Sequence, residues 1–301
     1  MADNRILVNL ADISDDGFEI KEEKYTYFYQ RVYDPDKKKH PNWLIFIMPT
    51  NTKTQSEWRL VTSGVLTDEY TVASTEGITD TILKGLKEKC SYKCIHCDLY
   101  GSVVSVFTTE NMKLNIPADD EVNRAIFKLI TGIESDISHV TCNSSLSFTI
   151  SNSMTGKSAL TLNYGMLNEY NQQSLRVNNT YLFPDFEVPL IHDKKLILNF
   201  DKATKIKEIF ESRVGLFKSI PVNDDFIQEI KKCFPVKVYN THLLNAWNQF
   251  DSELRNLYYL TFLISFAFTK ISKIDSSKAT KNMIKYIVEK FLKENRRSAV
   301  A

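Results

Sequence analysis

The chain has 301 residues, 43% of them hydrophobic and 25% charged, and its 38 basic side chains nearly balance 37 acidic ones for a formal charge of +1. That length can bury a sizeable core as one large domain or two unequal ones, and the polarity excludes a protein built mainly of membrane spans. The charge balance excludes long-range attraction to nucleic acid or to an acidic partner, so any such binding must come from a local patch.

The opening MADNRILVNLADISDDG has neither the basic stretch nor the long apolar stretch of a secretory signal. With five cysteines, an odd number, this predicts a reducing, cytoplasmic setting. An acidic segment runs from Asp12 to Glu23. From Lys24 to about Phe200, short β-rich runs are bounded by turn residues: KYTYFYQRVY, NWLIFIM, WRLVTSGV, SVVSVFTT and LSFTISNSMTGKSALTLNY. The last predicts a hairpin with arms around LSFTI and ALTLNY, turning at Met154 to Lys157, where Gly156 is free to take positive φ. Helices are predicted over Glu76–Lys89 and Asp119–Ile130, the second opened by Pro117 and the acids Asp119, Asp120 and Glu121. From Asp201 onward the apolar period becomes helical, in DKATKIKEIFESRVGLF, NDDFIQEIKKCF, THLLNAWNQFDSELRNLYYLTFLISFAF and SKATKNMIKYIVEKFLKENRR. The apolar run Leu257–Phe268 falls short of the roughly 20 residues of a membrane helix and reads as the buried part of a core helix. Strands first and helices last predict an α+β fold. Residues 1–200 would form an antiparallel β-rich domain with interspersed helices, and residues 201–301 a helical region packed on it.

The stretch CSYKCIHCDLYG, Cys90 to Gly101, carries the spacing CxxxCxxC and resembles the radical-SAM signature, in which three thiolates hold three irons of a four-iron cluster. Its surroundings differ from that signature: DTILKGLKEK before it reads as an amphipathic helix, and no GGE segment follows. A plain strand fits better. It places Tyr92, Cys94 and His96 on one face and Lys93, Ile95 and Cys97 on the other, with a turn at Gly101 and a return strand SVVSVFTT. Two alternatives stay open: zinc held through Cys94 and Cys97 on a knuckle, or an iron–sulfur cluster on Cys90, Cys94 and Cys97 in a metal-dependent enzyme. No other cofactor is expected. SNSMTGKSAL lacks the first glycine of a phosphate loop, having Ser151 there, and a strand-like segment follows it. The histidines His40, His96, His139, His192 and His242 are scattered and assemble no nucleophile–base pair.

Segments from Trp58 to Leu254 resemble a phage- and plasmid-encoded family of unknown function, the phage/plasmid-like proteins. The matching pieces are GVLTDEYTV before a helix and an N-S-x-x-G-x-S segment at Asn152, Ser153, Gly156 and Ser158. A helix opening NDDFIQEIKKCFP and an "NA" helix at Asn245 and Ala246 complete the pattern, while Cys142-Asn143 stands before the N-S-x-x-G segment rather than after it. The resemblance implies origin in a mobile element and a task connected with its DNA or its host; it carries over no catalytic residues.

Strand alternation in KYTYFYQRVYDPDKKKH puts Tyr25, Tyr27, Tyr29, Arg31 and Tyr33 on one face, followed by Lys37, Lys38, Lys39 and His40. Rings beside cations suit a sequence-tolerant single-strand binder, each stacked base contributing about 1–3 kcal/mol. Tyrosines equally suit a half-buried sheet, and lysines a solvated turn. Lys270–Arg297 adds nine basic residues against three acids, among them Lys281 and Lys285 as candidate phosphate contacts. The expectation is a phage or plasmid protein that binds single-stranded nucleic acid in replication, annealing or recombination, as a homo-oligomer, with no membrane partner. Two other classes stay open: a host-interaction or counter-defence protein that uses the acidic segment, and an enzyme that uses the Cys90 cluster.

Overall fold

β-Branched and aromatic residues in alternation form antiparallel sheets, helices are concentrated after Asp201, and the fold is α+β. The computed structural model describes residues 7–10, 17–22, 24–32, 42–50, 58–61, 66, 71–97, 101–116, 120–132, 140–156, 160–170, 176–179, 188–189, 201–231, 239–249, 252–269, 286 and 289–290. Two compact units are interleaved along the chain rather than successive. The first takes Met1–Asn111, Phe148–Asn163 and Glu187–Asp201; the second takes Met112–Ser147, Tyr164–Phe186 and Lys202–Ala301. The helices after Asp201 therefore share a unit with residues from the β-rich part.

In the first unit a four-stranded antiparallel sheet has the order β2 (Phe18–Lys21), β3 (Tyr25–Val32), β4 (Asn42–Pro49), β5 (Arg59–Leu60). The register pairs Tyr27 with Ile47, Phe28 with Phe46 and Tyr29 with Ile45. Gly17 leads into β2 with φ +81, and a Cβ there would lie 2.4 Å from the Tyr29 carbonyl oxygen, so only glycine fits. One face of this sheet, with Ile20, Tyr27, Tyr29, Trp43, Ile45 and Ile47, is buried in a core with Ile95, Cys97, Val103 and Met154. β1 (Leu7–Asn9) pairs with β6 (Thr71–Ala73), and β7 (Cys90–Cys97) pairs with β8 (Ser102–Thr109) around Gly101, at φ +85.

Helix α1 (Thr75–Leu86) begins where the Ser74 hydroxyl accepts the Gly77 N–H, and it buries Ile78 and Ile82 with Thr75 and Thr79. It stops three residues before the expected Lys89 because Lys87 turns left-handed at φ 57, and the N–H groups of Lys87 and Glu88 close on the carbonyls of Lys84 and Leu83.

The predicted hairpin is present as β9 (Cys142–Ser153) and β10 (Thr161–Tyr170), with Gly156 at φ +71 in the turn. Strand order in this second large sheet is β11 (Arg176–Asn179), β10, β9, β8, β7, with β12 (Val188–Pro189) also paired to β10. In the second unit Phe127 of α2 (Asp120–Thr131) packs on Tyr170, ring centroids 6.1 Å apart. α3 (Asp201–Ser219) buries Ile206, Phe210, Val214 and Phe217. α4 (Asp224–Ile230) is capped by Asn223, which accepts the Phe226 N–H. Trp247, in α5 (Asn245–Asn248), stacks on Tyr259 of α6 (Leu257–Thr269) and donates its indole N–H to Asp224 at 2.8 Å. Leu257–Ile264 is buried throughout, as its apolar run predicts. Among the described residues no helix is long and apolar enough to cross a membrane.

Candidate nucleic-acid interface

Alternation along β3 groups Tyr25, Tyr27, Tyr29 and Arg31 on one face, but that face is the core face. Tyr27 and Tyr29 are fully buried. The Tyr29 ring stacks on Phe18 with centroids 4.5 Å apart, and its hydroxyl donates to the Met154 carbonyl at 2.8 Å. Tyr25 packs against the same cluster, and the Arg31 guanidinium lies 5.9 Å from the centre of the Trp43 ring. Rings enclosed in this way cannot stack on bases, which corrects the expectation of a platform formed by Tyr27 and Tyr29. Tyr33, Lys37, Lys38, Lys39, Lys281 and Lys285 lie outside the described residues.

The opposite face of the same sheet carries a different aromatic set. Phe28 pairs with Phe46, which in turn pairs with Leu60, so the three side chains line up across β3, β4 and β5. Phe28 and Phe46 have centroids 6.4 Å apart, and Trp58 meets Phe28 edge-on at 5.4 Å. All three rings are only half-buried, as are Leu44 and Met48 on the same face, and Leu60 is 47% exposed. Lys21 and Gln30 are exposed on this face, where Glu19 pairs with Phe28, while Arg59 pairs with Ile47 and belongs to the other face. The segment 33–41 joining β3 to β4 contains Lys37, Lys38 and Lys39. Half-open rings in a row, with Lys21 on the same face, provide sequence-tolerant stacking surface and a cation for phosphate. Local sequence contained a signal for this set: NWLIFIM is apolar at every position after Asn42, so β4 has an apolar residue for each face.

The CxxxCxxC stretch forms the strand that alternation predicts. In β7 Cys94 and His96 are exposed while Ile95 and Cys97 are buried, with a register irregularity between Cys90 and Tyr92. The Cys90 thiol donates to the Tyr92 carbonyl at 3.0 Å, and partial burial raises its pKa above the ordinary value, which disfavours the nucleophilic thiolate. Among the described residues no group of three His, Cys, Asp or Glu side chains is placed to hold a metal ion. Asn152, from the N-S-x-x-G-x-S segment, has a structural position: it is buried, and its amide donates to the Ala73 carbonyl at 2.7 Å and to the Thr75 hydroxyl at 3.2 Å.

No protein-family model, curated protein or solved structure matches the chain.

Proposed function

We propose that this chain binds single-stranded nucleic acid through the outer face of the β2–β5 sheet, in the replication or recombination of a phage or plasmid. The observation that carries the reading is the row Trp58–Phe28–Phe46, half-open on a sheet face that also exposes Lys21. Apolar rings are usually withdrawn from water, and a contiguous half-open set bordered by exposed Leu60 suits a surface for a partner. Bases supply flat faces to such rings, and the lysine-rich segment 33–41 supplies charge for the backbone. The mobile-element setting is supported by the resemblance of the segments between Trp58 and Leu254.

Fluorescence anisotropy with a labelled oligothymidylate tests the reading. Phe28→Ala or Trp58→Ala should weaken binding by about 1–3 kcal/mol per ring engaged without changing the salt slope, since a neutral ring displaces no counterion. Neutralising Lys37, Lys38 and Lys39 together should flatten that slope by roughly 0.7 for each phosphate that the lysines had neutralised. Tyr27→Phe, buried on the other face, should leave both unchanged. Unaltered affinity in a folded Phe28→Ala, Trp58→Ala double variant overturns the reading and leaves a protein partner as the function to pursue.

A further inference from the structure

α3 has a second stripe besides the one it buries. Ile209 and Leu216, two turns apart, are each 44% exposed, and Lys205 and Ser212 on the same side are exposed as well. Glu208, Ile209, Ser212, Arg213 and Leu216 line an open groove of about 340 Å³, and the space beside Gly215 is open to 4 Å.

The spacing of this stripe indicates what covers it. Lys205, Ile209, Ser212 and Leu216 follow one another at intervals of four, three and four residues, the seam along which one helix meets another in a supercoiled pair. On that seam Ile209 and Leu216 take equivalent positions one heptad apart, with Glu208 and Arg213 flanking it on opposite sides. When two such helices run parallel about a two-fold axis, the residue flanking one side of the first meets the residue five positions further on in the second. Glu208 and Arg213 are five apart and opposite in charge. An antiparallel pairing would bring Glu208 towards Glu208 and Arg213 towards Arg213. The parallel pairing also brings Lys205 towards its own copy at the start of the seam, one like-charge contact against two Glu208–Arg213 pairs, so the balance of charge selects a parallel copy of the same helix.

We propose that the exposed stripe of α3 is the contact of a two-fold homodimer, in which Ile209 and Leu216 meet their own copies and two reciprocal Glu208–Arg213 pairs set the register. The contact is isologous, so it closes at two chains. It lies on elements that the nucleic-acid reading does not use, and the two fail independently.

The test is sedimentation equilibrium on nuclease-treated full chain, with circular dichroism and a thermal melt to verify the fold of every variant. Wild type should dimerise, and Ile209→Glu with Leu216→Glu should give a folded monomer. Glu208→Arg alone and Arg213→Glu alone should each raise the dimer dissociation constant by roughly tenfold or more, because both copies then present like charges across the seam. The two reversals combined should restore dimerisation. A monomeric wild type, a dimer indifferent to Ile209→Glu and Leu216→Glu, or a combined reversal without rescue each overturns the proposal.

Discussion

Glu22 makes the stability of the first unit depend on pH. It follows β2 with 1% exposure, its Oε1 accepts the Thr75 N–H at 2.8 Å at the start of α1, and its Oε2 has no hydrogen-bond partner among the described residues. Burial pushes its carboxyl from the ordinary 4.5 up to about 7, against the opposing pull of the Thr75 hydrogen bonds; Glu76 adds to the rise and Lys93 reduces it. At about 1.4 kcal/mol per tenfold change in proton affinity, the gap between about 7 folded and 4.5 unfolded corresponds to about 3 kcal/mol. The folded state holds the proton more tightly, so this contribution is complete below pH 4.5, declines as pH rises, and is lost through about pH 7. Glu22→Gln retains an acceptor for Thr75 and cannot titrate. Urea unfolding of wild type and Glu22→Gln from about pH 4.5 to about pH 8 isolates the group, since other titrations cancel in the difference. The variant should gain about 3 kcal/mol relative to wild type across that range. Any constant cost of placing an amide beside the unpartnered oxygen position shifts the whole curve and leaves its slope intact. A flat difference, or one that runs the other way, refutes the reasoning.

Tyr27→Ala should destabilise by about 3–5 kcal/mol, as loss of a buried ring does, and Tyr29→Phe by about 1 kcal/mol for the bond to the Met154 carbonyl; chemical denaturation of either at wild-type midpoint contradicts the core assignment. Cys94→Ser should change stability by less than about 0.5 kcal/mol, while Cys97→Ser, which buries a hydroxyl, should cost about 1–3 kcal/mol. Thiol labelling of the native protein should accordingly modify Cys94 well before Cys97, and equal rates would contradict the inward position of Cys97.

Period-two alternation identifies which residues share a face, and the local sequence set the β7–β8 strands, the turn at Gly101 and the β9–β10 hairpin on that basis. Alternation does not say which face is inside. KYTYFYQRV has aromatic rings on both faces, and the choice between them is made by contacts remote in sequence: Met154 accepts the Tyr29 hydroxyl, and Ile95, Cys97 and Val103 share one core cluster with Tyr27 and Trp43. The end of α1 at Lys87 was equally illegible, because lysine has no preference for the left-handed backbone found there. Hydrophobicity alone points to the wrong face. A tyrosine hydroxyl tolerates water and a phenylalanine ring does not, so the tyrosines would be expected outside and Phe28 inside. The observed arrangement is the reverse: two tyrosines are fully buried, while Phe28, Phe46 and Trp58 are left half-open. Departures of this kind from local preference concentrate at functional sites, which is a reason for placing the proposed base-stacking surface on the Trp58–Phe28–Phe46 row.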